Sequence, residues 1–465
     1  MTWSAAVPSL SRRPLWIATA AAVALSLALA ALPLKYGAAA AVFLPAAVLV
    51  ALRPRWLLYV LPLLVPVTYE ATLPLGSARV GLLDLALAGA VAGWLAVSVT
   101  RRRIELRLGA VGIALLVWLW VQLLSLTGSV SFGSGVAELT KWAELLAVYV
   151  LALALLRGGT TQRLVYPIAA AGTGSALYGL LQFATGRGPE SFLLFGRFMR
   201  AYGTFAQPNP FAGHLGLSLP FALAWGLAAS DRSRMERLAM LGCAGVMGLG
   251  ILASWSRGSW LALVVSLAVM AVLLAPRLAL LAAAAAALVG LMFGGGALAG
   301  PLAQRALGMG GDVRTLNVSR VEPTDESWAV IERLAHWQAG WYMFAAHPWL
   351  GVGIGNYEVV YPLYGLPHWP EPLGHAHNYY LNVLAETGLV GLTAFGLVGI
   401  AAARALVRSW RRAHSGQTRA LVLAAAGSLA YLSMHNLVDD LFVHSMQAIV
   451  GLCLALIVLA ASEVA

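Results

Sequence analysis

The side chains best suited to chemistry are a few arginines and histidines lying far apart in the chain. Arg257 sits in SWSRGSW (254–260), a tight turn between two apolar runs. With almost no loop to lift it into water, its charge either snorkels to lipid headgroups or faces a cavity. In a cavity its planar fork grips phosphate oxygens two at a time. Ser256, Gly258 and Ser259 beside it allow close backbone approach and offer donors, and a helix starting there adds the positive potential of its first amides. Arg200 precedes AYGTFAQPNPFAG, a loop ending in a proline-led helix start. Arg333 lies on a predicted amphipathic helix, where it is either a solvated surface charge or a further cation for the same anion. His375 and His377 open the apolar run GHAHNYYLNVLAETG (374–388), followed by Asn378 as a polar contact for substrate. A neutral imidazole takes a proton from a hydroxyl group. Spacing of i, i+2 keeps the two histidines off a common helical face, and no cysteine or carboxylate falls at zinc spacing around them. Neither a metal nor another cofactor is therefore expected. Glu386, inside the same run, needs a partner and is expected to find one of these bases. The segment HNLVDDLFVH (435–444) reads mainly as structural ion pairing, with at most a weak cation site.

These residues must be positioned by membrane helices. Of 465 residues 60% are hydrophobic and 11% charged, against about 25% charged in a soluble domain. A helix of about 20 apolar residues crosses a bilayer, and the long runs lack the alternation of a membrane barrel. Spans are predicted at 14–34, 37–52, 56–69, 80–99, 108–127, 138–156, 163–183, 209–229, 238–255, 258–275, 277–294, 377–403, 418–436 and 443–461. The second and third are short, so the expected fold is an all-α, polytopic membrane helix bundle of 12–14 spans. The net charge of +11 lies in short clusters between spans, which argues against a nucleic-acid partner. Cys243 and Cys453 read as small core residues.

With the N-terminus in the cytoplasm, the clusters Arg53/Arg55, Arg101–Arg103 with Arg107, Arg232–Arg237 and Arg404–Arg419 all fall inside, as the positive-inside rule requires. The segments 184–208, 254–258, 295–376 and 437–442 then fall outside. Three regions follow: an N-terminal transmembrane bundle (1–294), an extracytoplasmic loop (295–376) and C-terminal transmembrane helices (377–465). Within the loop, 325–346 is predicted as one amphipathic helix with acidic residues in its first turn and Asp325 or Ser327 as cap.

SRGSW (256–260), RLAHWQAGWYMFAAHPWLGVGIGNY (333–357) and HNYYLNVLAETGLVGL (377–392) together resemble the O-antigen ligase and polymerase superfamily of bacterial membrane proteins. The likeness covers roughly residues 200–400. It implies a fold like that of the GT-C glycosyltransferases, and glycan transfer from undecaprenyl diphosphate at the outer face of the inner membrane. The acceptor would be lipid A-core in a ligase or a growing glycan in a polymerase. The family's essential residues fall on Arg257, Arg333 and His377, and a further basic position on Arg200. The residues suit this chemistry by themselves. Arginines stabilise a diphosphate leaving group, and His377 serves as base in a single-step, inverting, metal-independent displacement. Arg200, His375, Asn378, Ser256 and Glu386 are the candidate substrate-binding groups. Ligase and polymerase share these motifs. A small-anion transporter is the alternative from another class, but it would want charges near mid-membrane in matching halves, and no repeat is present.

Overall fold

In a computed structural model, residues 53–67, 72–75, 78–102, 108–275, 277, 317–319, 321 and 328–462 are described. The predicted spans 14–34, 37–52 and nearly all of 277–294 lie outside them, as do Asp312, Glu322, Asp325, Glu326 and Ser327. The helices are α1 (Arg55–Leu64), α2 (Leu82–Thr100), α3 (Gly109–Ser125), α4 (Phe132–Leu155), α5 (Val165–Thr185), α6 (Pro208–Ala228), α7 (Arg234–Ala253), α8 (Arg257–Leu274), α9 (Trp328–Ala346), α10 (Tyr357–Tyr364), α11 (Tyr379–Arg412), α12 (Gly416–His435) and α13 (Met446–Ser462). Two short antiparallel hairpins accompany them: β1 (Thr72–Leu75) with β2 (Ala78–Gly81), and β3 (Leu193–Leu194) with β4 (Phe198–Met199). Among the described residues seven helices are long and apolar enough to cross a membrane. The chain is an all-α, multi-pass membrane protein.

α6 and α12 form the centre of the bundle, each buried along most of its length. Prolines at 208 and 210 start α6, where a missing N–H costs nothing. Small residues let the two helices close: Gly216 receives the Tyr431 ring, whose hydroxyl donates to the Ala212 carbonyl at 2.9 Å. Ser428 donates to the Leu217 carbonyl at 2.7 Å. Such close contact with side-chain-to-backbone bonds is how helices associate where lipid competes for apolar surface. α7 and α8 pack on this pair, α3 lies against α11, and α4 against α13.

The predicted span 377–403 is corrected by the structure. α11 breaks at Gly388 (φ 65°, ψ −163°), a backbone region open essentially to glycine alone. Tyr379 and Phe395 would stand about 24 Å apart on a straight helix. Their rings are 5.5 Å apart, so the arm 379–387 folds back beside the arm 389–412. The sequence pattern hid this break because both arms are apolar.

Breaking a helix frees backbone groups that must find partners. The loop HPWLGVGIGN (347–356) supplies them. Val352 and Gly353 N–H donate to the Ala385 and Glu386 carbonyls, each at 3.0 Å, while Leu389 and Val390 N–H donate to Pro348 and Trp349 at 2.9 and 3.2 Å. Ser125 Oγ donates to the Glu386 carbonyl at 2.9 Å and accepts from Ile354 N–H at 3.0 Å, tying the elbow to α3. Gly351, Gly353 and Gly355 all take positive φ, and a side chain on Gly351 would run into the Glu386 backbone.

Candidate functional site

His377 stands just ahead of the folded-back arm of α11. Asn378 caps that arm, its Oδ1 accepting from Leu381 N–H at 3.1 Å. The arm is anchored to the connection between α12 and α13 by Tyr379 N–H, which donates to the Asn436 carbonyl at 2.8 Å. Because Tyr379 lies level with Phe395, seven residues past the elbow, the site is recessed about 10 Å into the bundle. Its floor is aromatic: Tyr379 meets Phe442 at 4.6 Å, Phe442 meets Trp142 at 4.7 Å, and Trp142 meets Trp118 at 5.5 Å.

Asp439 is the hub of the recess. Its Oδ1 lies 3.7 Å from His375 Nε2 and 3.6 Å from His377 Nδ1; its Oδ2 lies 4.0 Å from His435 Nε2 and accepts from Asn209 Nδ2 at 2.7 Å. Burial by itself would raise the Asp439 carboxyl. The adjoining imidazoles, His377 first and then His375 and His435, outweigh it and hold the carboxyl well below the usual range. Asp439 is therefore an anion, with His377 Nδ1 the nearest imidazole nitrogen to its Oδ1.

The three arginines lie on elements that border this hub. Arg200, after β4, donates from Nε to the Ser254 carbonyl at 2.8 Å and from its terminal nitrogen to Asn209 Oδ1 at 3.2 Å, and Asn209 continues to Asp439. Arg257 is the first residue of α8, whose start abuts the same loop. Ser259 Oγ is 3.3 Å from His435 Nδ1 and donates to Ser256 Oγ at 3.0 Å, and Gly258 leaves room for Val438. Arg333 lies on α9, one turn before His336 and Trp337, so the three share a helix face. Trp337 Nε1 donates to the His377 carbonyl at 3.3 Å, and the His336 ring meets that of His377 at 5.5 Å. Burial holds His375 down at about 4 against the pull of Asp439, with His377, Lys141 and Arg333 pressing it the same way.

Three expectations are redrawn by this geometry. Glu386 does not meet the histidines: it is buried at the elbow, where Oε1 accepts from Tyr357 N–H at 2.9 Å. The side chain of Asn378 is engaged as a helix cap. The segment 435–444, read as structural ion pairing, supplies the central carboxylate. Asn209, His336 and Trp337 also escaped the sequence reading. The signal for Asp439 was present in four titratable residues within HNLVDDLFVH at the end of a span. His336 follows Arg333 by three residues, on one helical face.

His375, His377 and Asp439 have donor atoms within 4.8 Å of one another, as metal ligands would. The hydrogen bonds argue for another use. His377 N–H donates to His375 Nδ1 at 3.0 Å, so the His375 proton resides on Nε2, facing Asp439. A metal at that nitrogen would have to displace the proton. The trio places two imidazoles within 4 Å of one carboxylate.

Residues 242–396 match the family model described as O-antigen ligase, a stretch that contains Arg257, Arg333, His336, His375 and His377. No curated protein matches the chain. Arg200, Asn209 and Asp439 lie outside the matched stretch yet complete the same recess. The chain is thus a multi-pass membrane protein that carries a region similar to the O-antigen ligase family, and that region holds Arg257, Arg333 and the His377 arm.

Proposed function

We propose that the protein transfers a glycan from undecaprenyl diphosphate to an acceptor hydroxyl, with lipid A-core as the acceptor, at the periplasmic face of the bacterial inner membrane. The observation that supports this most directly is the convergence of the α8 start, the Arg333 face of α9 and the His377 arm on Asp439, in a recess within the bundle. The positive-inside rule puts that recess outside, because the basic clusters lie at the opposite ends of the same helices.

The reaction is a single displacement. The acceptor oxygen attacks the anomeric carbon while its proton passes to His377 Nε2. The bond from that carbon to the diphosphate oxygen breaks, and undecaprenyl diphosphate leaves with the electron pair. Asp439 is positioned to stabilise the imidazolium that forms, and Arg257 and Arg333 the growing negative charge on the diphosphate. In a recessed, partly dry site such charges act more strongly than in water. Attack opposite the leaving group inverts the anomeric centre.

The test is incubation of the purified protein with undecaprenyl-diphosphate glycan and each candidate acceptor in EDTA. Product on lipid A-core identifies a ligase. A ladder of longer glycans on the carrier identifies a polymerase, the reading that shares the same donor. Equal product from the wild type and His377→Ala overturns the role of the base.

A further inference from the structure

His336 borders the recess but takes no part in the displacement. Its ring is held on three sides. Tyr361 stacks on its face at 4.7 Å, His377 meets it edge-on at 5.5 Å, and Tyr357 Oη lies 3.1 Å from Nδ1. The Tyr357 hydroxyl donates its own proton to the main-chain carbonyl of His336, 2.9 Å away. Toward the ring the Tyr357 oxygen then acts only as acceptor. Nδ1 must carry the imidazole hydrogen, and Nε2 keeps an open lone pair. Among the described residues no hydrogen-bond partner is found for Nε2. Burial holds His336 down at about 3, with His377 and His375 adding to the effect, so it is neutral at physiological pH.

A rigid, neutral imidazole beside the base, with its tautomer fixed and one acceptor nitrogen unused, is built to receive an O–H group. Arginines and lysines bind phosphate but have no acceptor to offer a hydroxyl. The substrate group suited to this corner is therefore a sugar hydroxyl.

We propose that His336 Nε2 accepts a hydrogen bond from an acceptor-sugar hydroxyl adjacent to the one deprotonated by His377, so that the two imidazoles select an acceptor with neighbouring hydroxyls. The assignment rests on the glycosyl-transfer reading. It adds a specificity residue on the loop helix, held in register by Tyr357 and Tyr361. A sugar lacking the second hydroxyl forfeits this hydrogen bond, which is a basis for rejecting an analogue.

Two measurements on the full-length protein in nanodiscs test it. In ¹⁵N-histidine spectra at neutral pH, His336 shows a protonated Nδ1 and a bare Nε2. The Nε2 signal moves upfield when lipid A-core is added, and Tyr357→Phe lets the other tautomer appear. In transfer kinetics His336→Phe raises the KM for lipid A-core about tenfold, the size of one lost hydrogen bond, with the donor KM unchanged. His336→Gln, whose amide oxygen can accept in place of Nε2, recovers most of it. A protonated Nε2 in the wild type, an Nε2 signal indifferent to lipid A-core, or equal kinetics for the Phe and Gln variants overturns the proposal. Full activity of His377→Ala would overturn only the base role of His377, and no product from the wild type on any acceptor would sink the transfer reading; the tautomer and the Nε2 response would still decide whether His336 receives a hydroxyl.

Discussion

Replacing Gly388 with alanine strikes the point on which the site's placement depends. At φ 65° and ψ −163° an alanine carries about 1–3 kcal/mol of backbone strain. Its Cβ would also fall inside the Trp349 carbonyl, a backbone group with no flexible end to swing away. The loop 347–356 must then retreat, which threatens the bonds from Leu389 and Val390 N–H to Pro348 and Trp349, each worth about 0.5–1.5 kcal/mol. Together these give a loss of about 2–6 kcal/mol. Any part of it relieved by moving the arm 379–387 displaces His377 from Asp439, and a shift of about 1 Å lowers a transfer rate about 100-fold. The assay is thermal unfolding in nanodiscs alongside the glycan-transfer rate. The control is Gly396→Ala on the same helix, where a Cβ meets nothing within 4 Å and helix propensity favours alanine. Gly388→Ala with the melting temperature of the control and transfer within threefold of wild type would refute the view that the elbow is held by backbone contacts.

Asp439→Asn keeps the shape of the hub but removes its charge. The turnover is expected to fall about 10²- to 10⁴-fold with little change in acceptor KM, and the acidic, rising limb of the pH–rate profile to move to lower pH; an unshifted profile would make Asp439 merely structural. Arg257→Lys keeps the charge and loses the fork, so the donor KM should rise about 10- to 100-fold, measured with varied undecaprenyl-diphosphate glycan. Acid should destabilise the protein in a defined window. His336 and His375 are held at about 3 and about 4 in the fold, below an unfolded value of about 6.5, so the unfolded chain binds more protons in between. Their contribution to stability is complete above about pH 6.5 and is lost as pH falls toward 4. Melting temperatures recorded between pH 7.5 and 4.5 check this, with His336→Phe expected to flatten the slope.

The helices were legible from composition because a bilayer imposes one requirement, about 20 apolar residues with internally satisfied backbone, that leaves a plain trace in sequence. From α2 through α8, and again for α12 and α13, the predicted spans overlap the observed helices closely. Arg257 and His377 were singled out for a related reason: a charge or imidazole at the edge of an apolar run is costly enough to demand an explanation, whereas Arg333 drew notice as a cation on the amphipathic loop helix and through the family resemblance. Hidden from the sequence were the relations among distant segments. Nothing local to 347–356 or 388 reveals that a glycine-rich loop pairs with a broken helix, because the hydrogen bonds that permit the break come from elsewhere in the chain. Nor could Asp439 be told from a structural acid until folding set it, 62 positions beyond His377, against three imidazoles and Asn209. Sequence determined which residues enter the membrane and which of them resist burial. The tertiary structure alone decided which of those meet, since a carboxylate's role depends on the groups that surround it in space.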